Sequence, residues 1–234
     1  MEEINHIYVI NLDRRKDRMD IIKKEMDLHN IQFERICAID GNTLNQPVLN
    51  PFKIPIKYWN KYSLGLVKTF HKIINDAKEK KYKEIIIFED DISLCDDFKN
   101  VFQEYKKQLP NNWDIVQLSA GNHRKHLQYI TDNIFRTSRT MGTYALLINV
   151  RCFDKLINLS KTECAPIDDL ISLIQRQKNC YMFYPGIVKP LPGYSDILNK
   201  NLDYQKYFQY EKSNYVEALI KMVKDKTVEN NENN

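Results

Sequence analysis

The sequence holds 234 residues, 43% of them hydrophobic and 28% charged, with a formal net charge of +4. That size suits one α/β domain over residues 1–223, and the composition is that of an ordinary soluble globular chain. A charge so close to balance, without a basic and aromatic platform, argues against nucleic acid as a partner, and no apolar run approaches the ~20 residues of a membrane helix.

The polar start carries no signal-peptide pattern, so a cytoplasmic location is expected. Five cysteines, odd in number and without metal-binding spacing, read as buried reduced thiols. Residues 6–10 form the first apolar, β-prone run, and Met19, Ile22 and Met26 fall on one helical face behind it. Between them lies Asn11-Leu12-Asp13-Arg14-Arg15-Lys16-Asp17-Arg18. Free backbone N–H groups at a helix start favour an anion, arginine suits bidentate phosphate contact, and Asn or Asp accepts from a ribose or pyrimidine. The plain alternative is a charged first turn with Asp13 as its cap and Asp17 paired to an arginine.

A second strand is expected at 33–39, ending at Asp40-Gly41, which either presents a carboxylate to a nucleotide or makes a turn. Residues 41–62, with Pro47, Pro51 and Pro55, read as a long irregular excursion, a kind of segment that is commonly functional. Val67, Phe70, Ile74 and Ala77 mark the next helix, in which His71 reads as structural.

Ile85-Ile86-Ile87-Phe88 is apolar without alternation, the mark of a central strand covered on both faces. It runs straight into Glu89-Asp90-Asp91, at the carboxyl end of a strand where open α/β sheets bind ligands. Hard carboxylate oxygens there suit Mg²⁺ or Mn²⁺, which would offset charge on a departing diphosphate; the alternative is a solvated acidic turn. Further strands are expected at 115–118, 144–148 and 181–184, and Gly142-Thr143 lets a ligand approach the backbone before one of them. Pro166-Ile167-Asp168-Asp169 opens a helix with Leu170, Ile171 and Ile174 on one face. One aspartate serves as cap and the other is free to act as general base, with the choice left open. Residues 191–209 are irregular, and Tyr194-Ser195-Asp196 could close over the site. Val216, Leu219 and Val223 mark a last helix, followed from Lys224 by a polar tail, 224–234, expected to be disordered. Strands alternating with helices imply an α/β fold with a central, mostly parallel sheet flanked by helices.

These landmarks together resemble glycosyltransferase family 25, which includes lipooligosaccharide and collagen hydroxylysine galactosyltransferases. Ile7-Tyr8-Val9-Ile10-Asn11-Leu12-Asp13-Arg14-Arg15, Ala38-Ile39-Asp40-Gly41, Ser63-Leu64-Gly65, Phe88-Glu89-Asp90-Asp91, Gly142-Thr143, Pro166-Ile167-Asp168-Asp169 and Ser195-Asp196-Ile197 keep the family's order across roughly residues 4 to 200. The resemblance implies a GT-A (Rossmann-like) nucleotide-sugar fold with a mostly parallel but mixed central sheet, a UDP-sugar donor (most often UDP-galactose), Mn²⁺, inversion at the anomeric carbon, and a glycan or hydroxylysine hydroxyl as acceptor. Carried over, Asp91 is the chief metal ligand, with Glu89 beside it and nearer the ribose. Asn11, Asp13, Arg14, Arg18, Asp40, Asp90, Gly142 and Thr143 belong to the donor pocket, and Asp168 or Asp169 is the base. Two departures stand out: the histidine after Gly65 comes one place late, and no histidine follows His126. Asp196, water or the diphosphate would then complete the metal's shell. A non-catalytic UDP-sugar or glycan-binding module is the competing reading, and the sequence leaves oligomeric state open.

Overall fold

The computed structural model describes residues 4–121, 127–177, 179–203, 216–218, 220–222 and 224. In chain order the elements are β1 (His6–Asn11), α1 (Lys16–Leu28), β2 (Glu34–Cys37), α2 (Lys61–Glu79), β3 (Glu84–Glu89), β4 (Ile92–Leu94), α3 (Phe98–Lys107) and β5 (Ile115–Gln117). They continue with β6 (Gln128–Thr131), β7 (Ile134–Arg136), β8 (Ala145–Asn149), α4 (Phe153–Ser160), α5 (Ile167–Gln175), β9 (Cys180–Phe183), β10 (Val188–Pro190), β11 (Gly193–Ser195) and β12 (Lys200–Leu202). Val216 is helical as expected, whereas Leu219, Val223, His126, residues 204–209 and the tail from 225 lie outside the described residues.

Eight strands form one sheet in the order β2-β1-β3-β8-β5-β9-β7-β6. The pairs β1–β2, β1–β3 and β5–β9 are parallel, and the other four are antiparallel. The sheet is therefore mixed, and the parallel character that the sequence suggests is concentrated in its β2-β1-β3 half.

The unbroken apolar run of β3 has a two-sided explanation. Ile86 and Phe88 pack with Met19, Ile22, Phe98 and Phe102 beneath α1 and α3, while Ile85 and Ile87 pack with Val67, Phe70, Ile171 and Ile174 beneath α2 and α5. Period-two alternation thus feeds two cores of equal need, and no face of β3 is left for polar residues.

Parallel pairing also decides where the site forms. Ile10 of β1 lies opposite Glu89 of β3, and Ala38 after β2 donates to Asn11 O at 2.9 Å, so three strands end at one edge. Antiparallel β8 begins at that edge: Ala145 faces Phe88, and Glu89 N donates to Tyr144 O at 2.9 Å. The residues preceding β8, Gly142 and Thr143, are brought there by the same register.

Two glycines allow α2 to reach the edge. A Cβ at Gly65 would overlap the carbonyl oxygen of Ile39, and one at Gly41 would lie 2.6 Å from Tyr62 Cα. Gly65→Ala gains about 1 kcal/mol of helix propensity, but overlap with backbone that cannot rotate away costs more. We expect a net loss of about 1–3 kcal/mol for Gly65→Ala in urea unfolding. An unchanged midpoint would show that α2 does not depend on this contact.

Candidate functional site

The edge opens into a cavity of about 640 Å³. Its walls include Arg14, Arg18, Asp40, Ser63, Glu89, Asp90, Asp91, Gly142, Thr143, Asp168, Asp169 and Asp196, drawn from seven separated stretches of sequence. Of the residues singled out from sequence, only Asn11 and Asp13 stand apart from it. Asn11 is buried under the cavity floor and donates to Asp90 Oδ2 at 2.6 Å, so it holds a wall residue. Asp13 points elsewhere: Arg35 (2.5 Å) and Cys37 (3.0 Å) both donate to it. It does not cap α1 either, whose N-cap is Arg15 with no side-chain bond. The expected pairing of Asp17 is seen, with Arg15 Nε and Nη2 both donating to it.

The acidic triplet is the electrostatic centre. Asp90 is buried and takes Arg18 at 3.0 Å as well as Asn11, and Asp91 takes Arg18 at 3.0 Å. Glu89 receives only the Thr143 hydroxyl, at 3.2 Å, among the described residues. Desolvation, then repulsion from Asp91, Asp168 and Asp90, pushes the Glu89 carboxyl up to about 8. Desolvation, opposed by Arg18, pushes Asp91 up to about 6. Burial raises Asp90 as well, against the pull of Arg18 and Asn11.

Asp168 and Asp169 open α5 but neither caps it; the N-cap is Pro166 and makes no side-chain bond. Asp168 accepts from Gly142 N at 2.7 Å, and Gly142 sits at φ 110°, a conformation open to glycine. That bond fixes the Gly142-Thr143 wall, which in turn supplies the hydroxyl on Glu89. Asp169 is half-buried and makes no hydrogen bond with the described residues; burial raises it and the Arg139 charge draws it back. Asp40 makes the turn, accepting from Asn42 N, and at the cavity wall it pairs with Arg14 at 2.8 Å.

The far wall is the β11–β12 hairpin. Asp196 takes Arg14 at 2.5 Å and Arg15 at 2.6 Å, and Tyr194 O takes Arg18 at 2.5 Å. The three arginines therefore strap the hairpin over the strand ends. Both Asp196 oxygens are engaged by guanidinium groups. Arg15, Tyr58, Tyr62 and Leu198 were not assigned from sequence; Arg15 stood inside the quoted motif, while the other three carry no local signal. His71 bonds the buried Ser160 of α4 at 2.9 Å where α2 packs against that helix, as a structural histidine does. All five cysteines are free, but only Cys152 and Cys180 are buried and Cys37 is exposed, because its thiol lies at an edge strand beside Asp13.

Among the described residues no group of three or more His, Cys, Asp or Glu side chains is arranged to hold a metal ion. The donor chemistry still fits one. Glu89, Asp91 and Asp168 gather carboxylate charge that Arg18 alone does not offset, and a hard divalent cation commonly takes one or two carboxylates with substrate oxygens completing its shell.

A family model described as "Glycosyltransferase family 25 (LPS biosynthesis protein)" matches residues 4–171. The chain is 25% identical over 230 residues to "Procollagen lysyl hydroxylase and glycosyltransferase" of Acanthamoeba polyphaga mimivirus, covering 80% of this chain and 25% of that protein. It is 23% identical over 190 residues to "Procollagen galactosyltransferase 1-A" of Xenopus laevis, covering 73% of this chain and 31% of that one. The chain thus spans between a quarter and a third of the length of these relatives. Among solved structures, a glycosyltransferase involved in glycosylation of the major capsid of PBCV-1 aligns with TM-score 0.39 at 7% identity, over 67% of this chain and 65% of that one.

The raised carboxylates make a stability prediction independent of activity. Groups whose folded values are raised stabilise the fold while protonated, and that contribution is lost as pH climbs through the folded values. The thermal midpoint of the ligand-free protein should therefore fall from about pH 5 to about pH 8, and Glu89→Gln should flatten the upper part of that fall. A midpoint that rises steadily across the window would contradict the assignment.

Proposed function

Since the chain belongs to glycosyltransferase family 25, we propose that it transfers a sugar, galactose by preference, from a UDP-sugar to a hydroxyl of a glycan or of hydroxylysine in a collagen-like protein. The carrying observation is convergence: seven separated motifs of the family line one cavity of about 640 Å³. The preference for galactose rests on the named galactosyltransferase relative.

In this reading the wall near Arg14, Asp40 and Gly41 takes the nucleoside, and the acidic triplet lies at the diphosphate. Asp91, with Glu89 beside it, would hold Mn²⁺ or Mg²⁺, which when bound would supply positive charge to stabilise the departing diphosphate. Arg18, within reach of Asp90 and Asp91, adds a fixed cation to the same end. Asn11 acts beneath, keeping the Asp90 carboxylate aimed at Arg18.

Asp169 is assigned as the base. Asp168 is committed to Gly142 N–H and serves to position the wall, whereas Asp169 retains free oxygens at the cavity. The acceptor hydroxyl gives its proton to Asp169 as its oxygen bonds to the anomeric carbon. The bond from that carbon to the β-phosphate oxygen breaks, and its electron pair leaves with UDP. Attack opposite the leaving group inverts the anomeric centre. Burial, by raising Asp169, makes it a better acceptor for that proton.

A non-catalytic UDP-sugar-binding module is the second reading, favoured by the lack of a ready-made metal cluster among the described residues. Turnover separates the two. UDP release from UDP-galactose should require Mn²⁺ and should collapse in Asp91→Ala. Asp169→Asn should slow the chemical step by about 10²–10⁴-fold while donor affinity holds. Asp168→Asn should instead weaken donor binding through the Gly142-Thr143 wall. UDP-galactose binding with no release, whatever acceptor is offered, would favour the module; full turnover in Asp169→Asn would move the base elsewhere.

A further inference from the structure

The excursion between β2 and α2 has an ordered interior. Trp59 is buried and its indole N–H donates to Leu49 O at 2.7 Å. The Asn50 side chain accepts from Ile54 N and donates to Ile54 O, both at 2.8 Å. Asn60 caps α2 and also donates to Ile197 O at 3.3 Å, tying the excursion to the β11–β12 hairpin. These bonds fix the backbone and leave its outer side chains in water.

Those side chains are unusual in kind. Val48 is 95% exposed, Leu49 56%, Phe52 51%, Ile56 71% and Tyr58 47%, which makes five of the ten exposed large hydrophobics of the described residues. Scattered single apolar residues are normal on a surface, but a contiguous set on a fixed loop marks an interaction site. The charge carried by the excursion and the start of α2 is one-sided. Positions 41 to 75 contain no Asp or Glu, yet they carry Lys53, Lys57, Lys61, Lys68 and Lys72. Lys68 is paired to Glu163; Lys57 sits 4.8 Å over the Tyr58 ring and is held at the tip.

Lysine and aliphatic tips without arginine or carboxylate point away from a protein partner, because protein interfaces are depleted in lysine and favour arginine. They suit an anionic lipid surface. Ammonium groups on flexible stems stay with the headgroups while Val, Leu, Ile and Phe enter the acyl boundary. We propose that residues 48–58 form a membrane-surface anchor for anionic lipid. No helix among the described residues is long and apolar enough to cross a membrane, so the contact is peripheral. Ile54 and Tyr62 of the same excursion line the cavity, and the half-exposed Tyr58 lines it as well, joining the outer apolar side chains to the cavity wall. Anchoring therefore sets the cavity mouth beside the lipid, where an acceptor carried on the membrane would lie. The anchor does not depend on the transfer reading.

The test is co-sedimentation of the whole chain with phosphatidylcholine vesicles, with and without roughly one-quarter phosphatidylglycerol, read without any sugar nucleotide. Wild type should pellet with the anionic vesicles, less with neutral ones, and less as salt is raised. Val48→Ser, Leu49→Ser, Phe52→Ser and Ile56→Ser combined should weaken partitioning at least about tenfold. These four side chains are exposed and outside the cavity, so the variant should keep the wild-type thermal midpoint and UDP binding. Lys53→Glu with Lys57→Glu, made separately in case the fourfold variant misfolds, should erase the preference for anionic vesicles. Wild type remaining in the supernatant with both vesicles would overturn the proposal. So would either variant, folded, partitioning as wild type does.

Discussion

Carboxylates gathered at the end of a buried strand, with too little positive charge to balance them, are the constraint around which this molecule is arranged. β3 delivers Glu89, Asp90 and Asp91 to the sheet edge because its four preceding residues are consumed by two cores. Isolated buried charge is costly, and each neighbour answers part of that cost. Asn11 and Arg18 answer Asp90, Arg18 reaches Asp91, and Thr143 offers Glu89 a hydroxyl. The remainder is met by protonation, which is why the buried carboxyls titrate high, and in the proposed function by a cation brought with the donor.

The hairpin wall extends the same logic to the opposite sign. Arg14 and Arg15 would repel each other and Arg18 at a strand end without an anion, and Asp196 lies between the first two. Arg18 is the exception, paired instead with Asp90 and Asp91 at the triplet. In the proposed function a diphosphate there would compete with those two carboxylates for its guanidinium group. The arginines at the strand ends are thus each held in a pair with a carboxylate.

Much of this was legible in the sequence, for physical reasons that can be named. The unalternating run at Ile85–Phe88 and the 3.6-residue spacing of Met19, Ile22 and Met26 are signals of burial, which local pattern records well. The acidic triplet, Asp40, Gly142-Thr143 and the Asp168-Asp169 pair were placed because strand ends and helix starts are where such residues act. The misses lie where the answer depends on register. Antiparallel β8 was not separable from a parallel strand by composition alone, since a strand's direction leaves no mark on its own residues, and the short β6 and β7 were not read as strands at all. Asp13 was drawn toward the ligand by its neighbours in the motif, and only the twist of β1 against β2 reveals that Arg35 and Cys37 claim it. The proposed preference for Asp169 over Asp168 as base rests on the Gly142 N–H that Asp168 accepts, 26 residues away and invisible to local pattern.

The claim on which the account stands is that the cavity binds a uridine diphosphate through a cation held at the acidic triplet. Calorimetric titration of UDP into the wild-type chain, with Mn²⁺ and then with chelator, addresses it without requiring an acceptor. The account predicts saturable one-to-one binding with Mn²⁺ that is lost or greatly weakened with chelator. Equal binding in both conditions, or none in either, would contradict it.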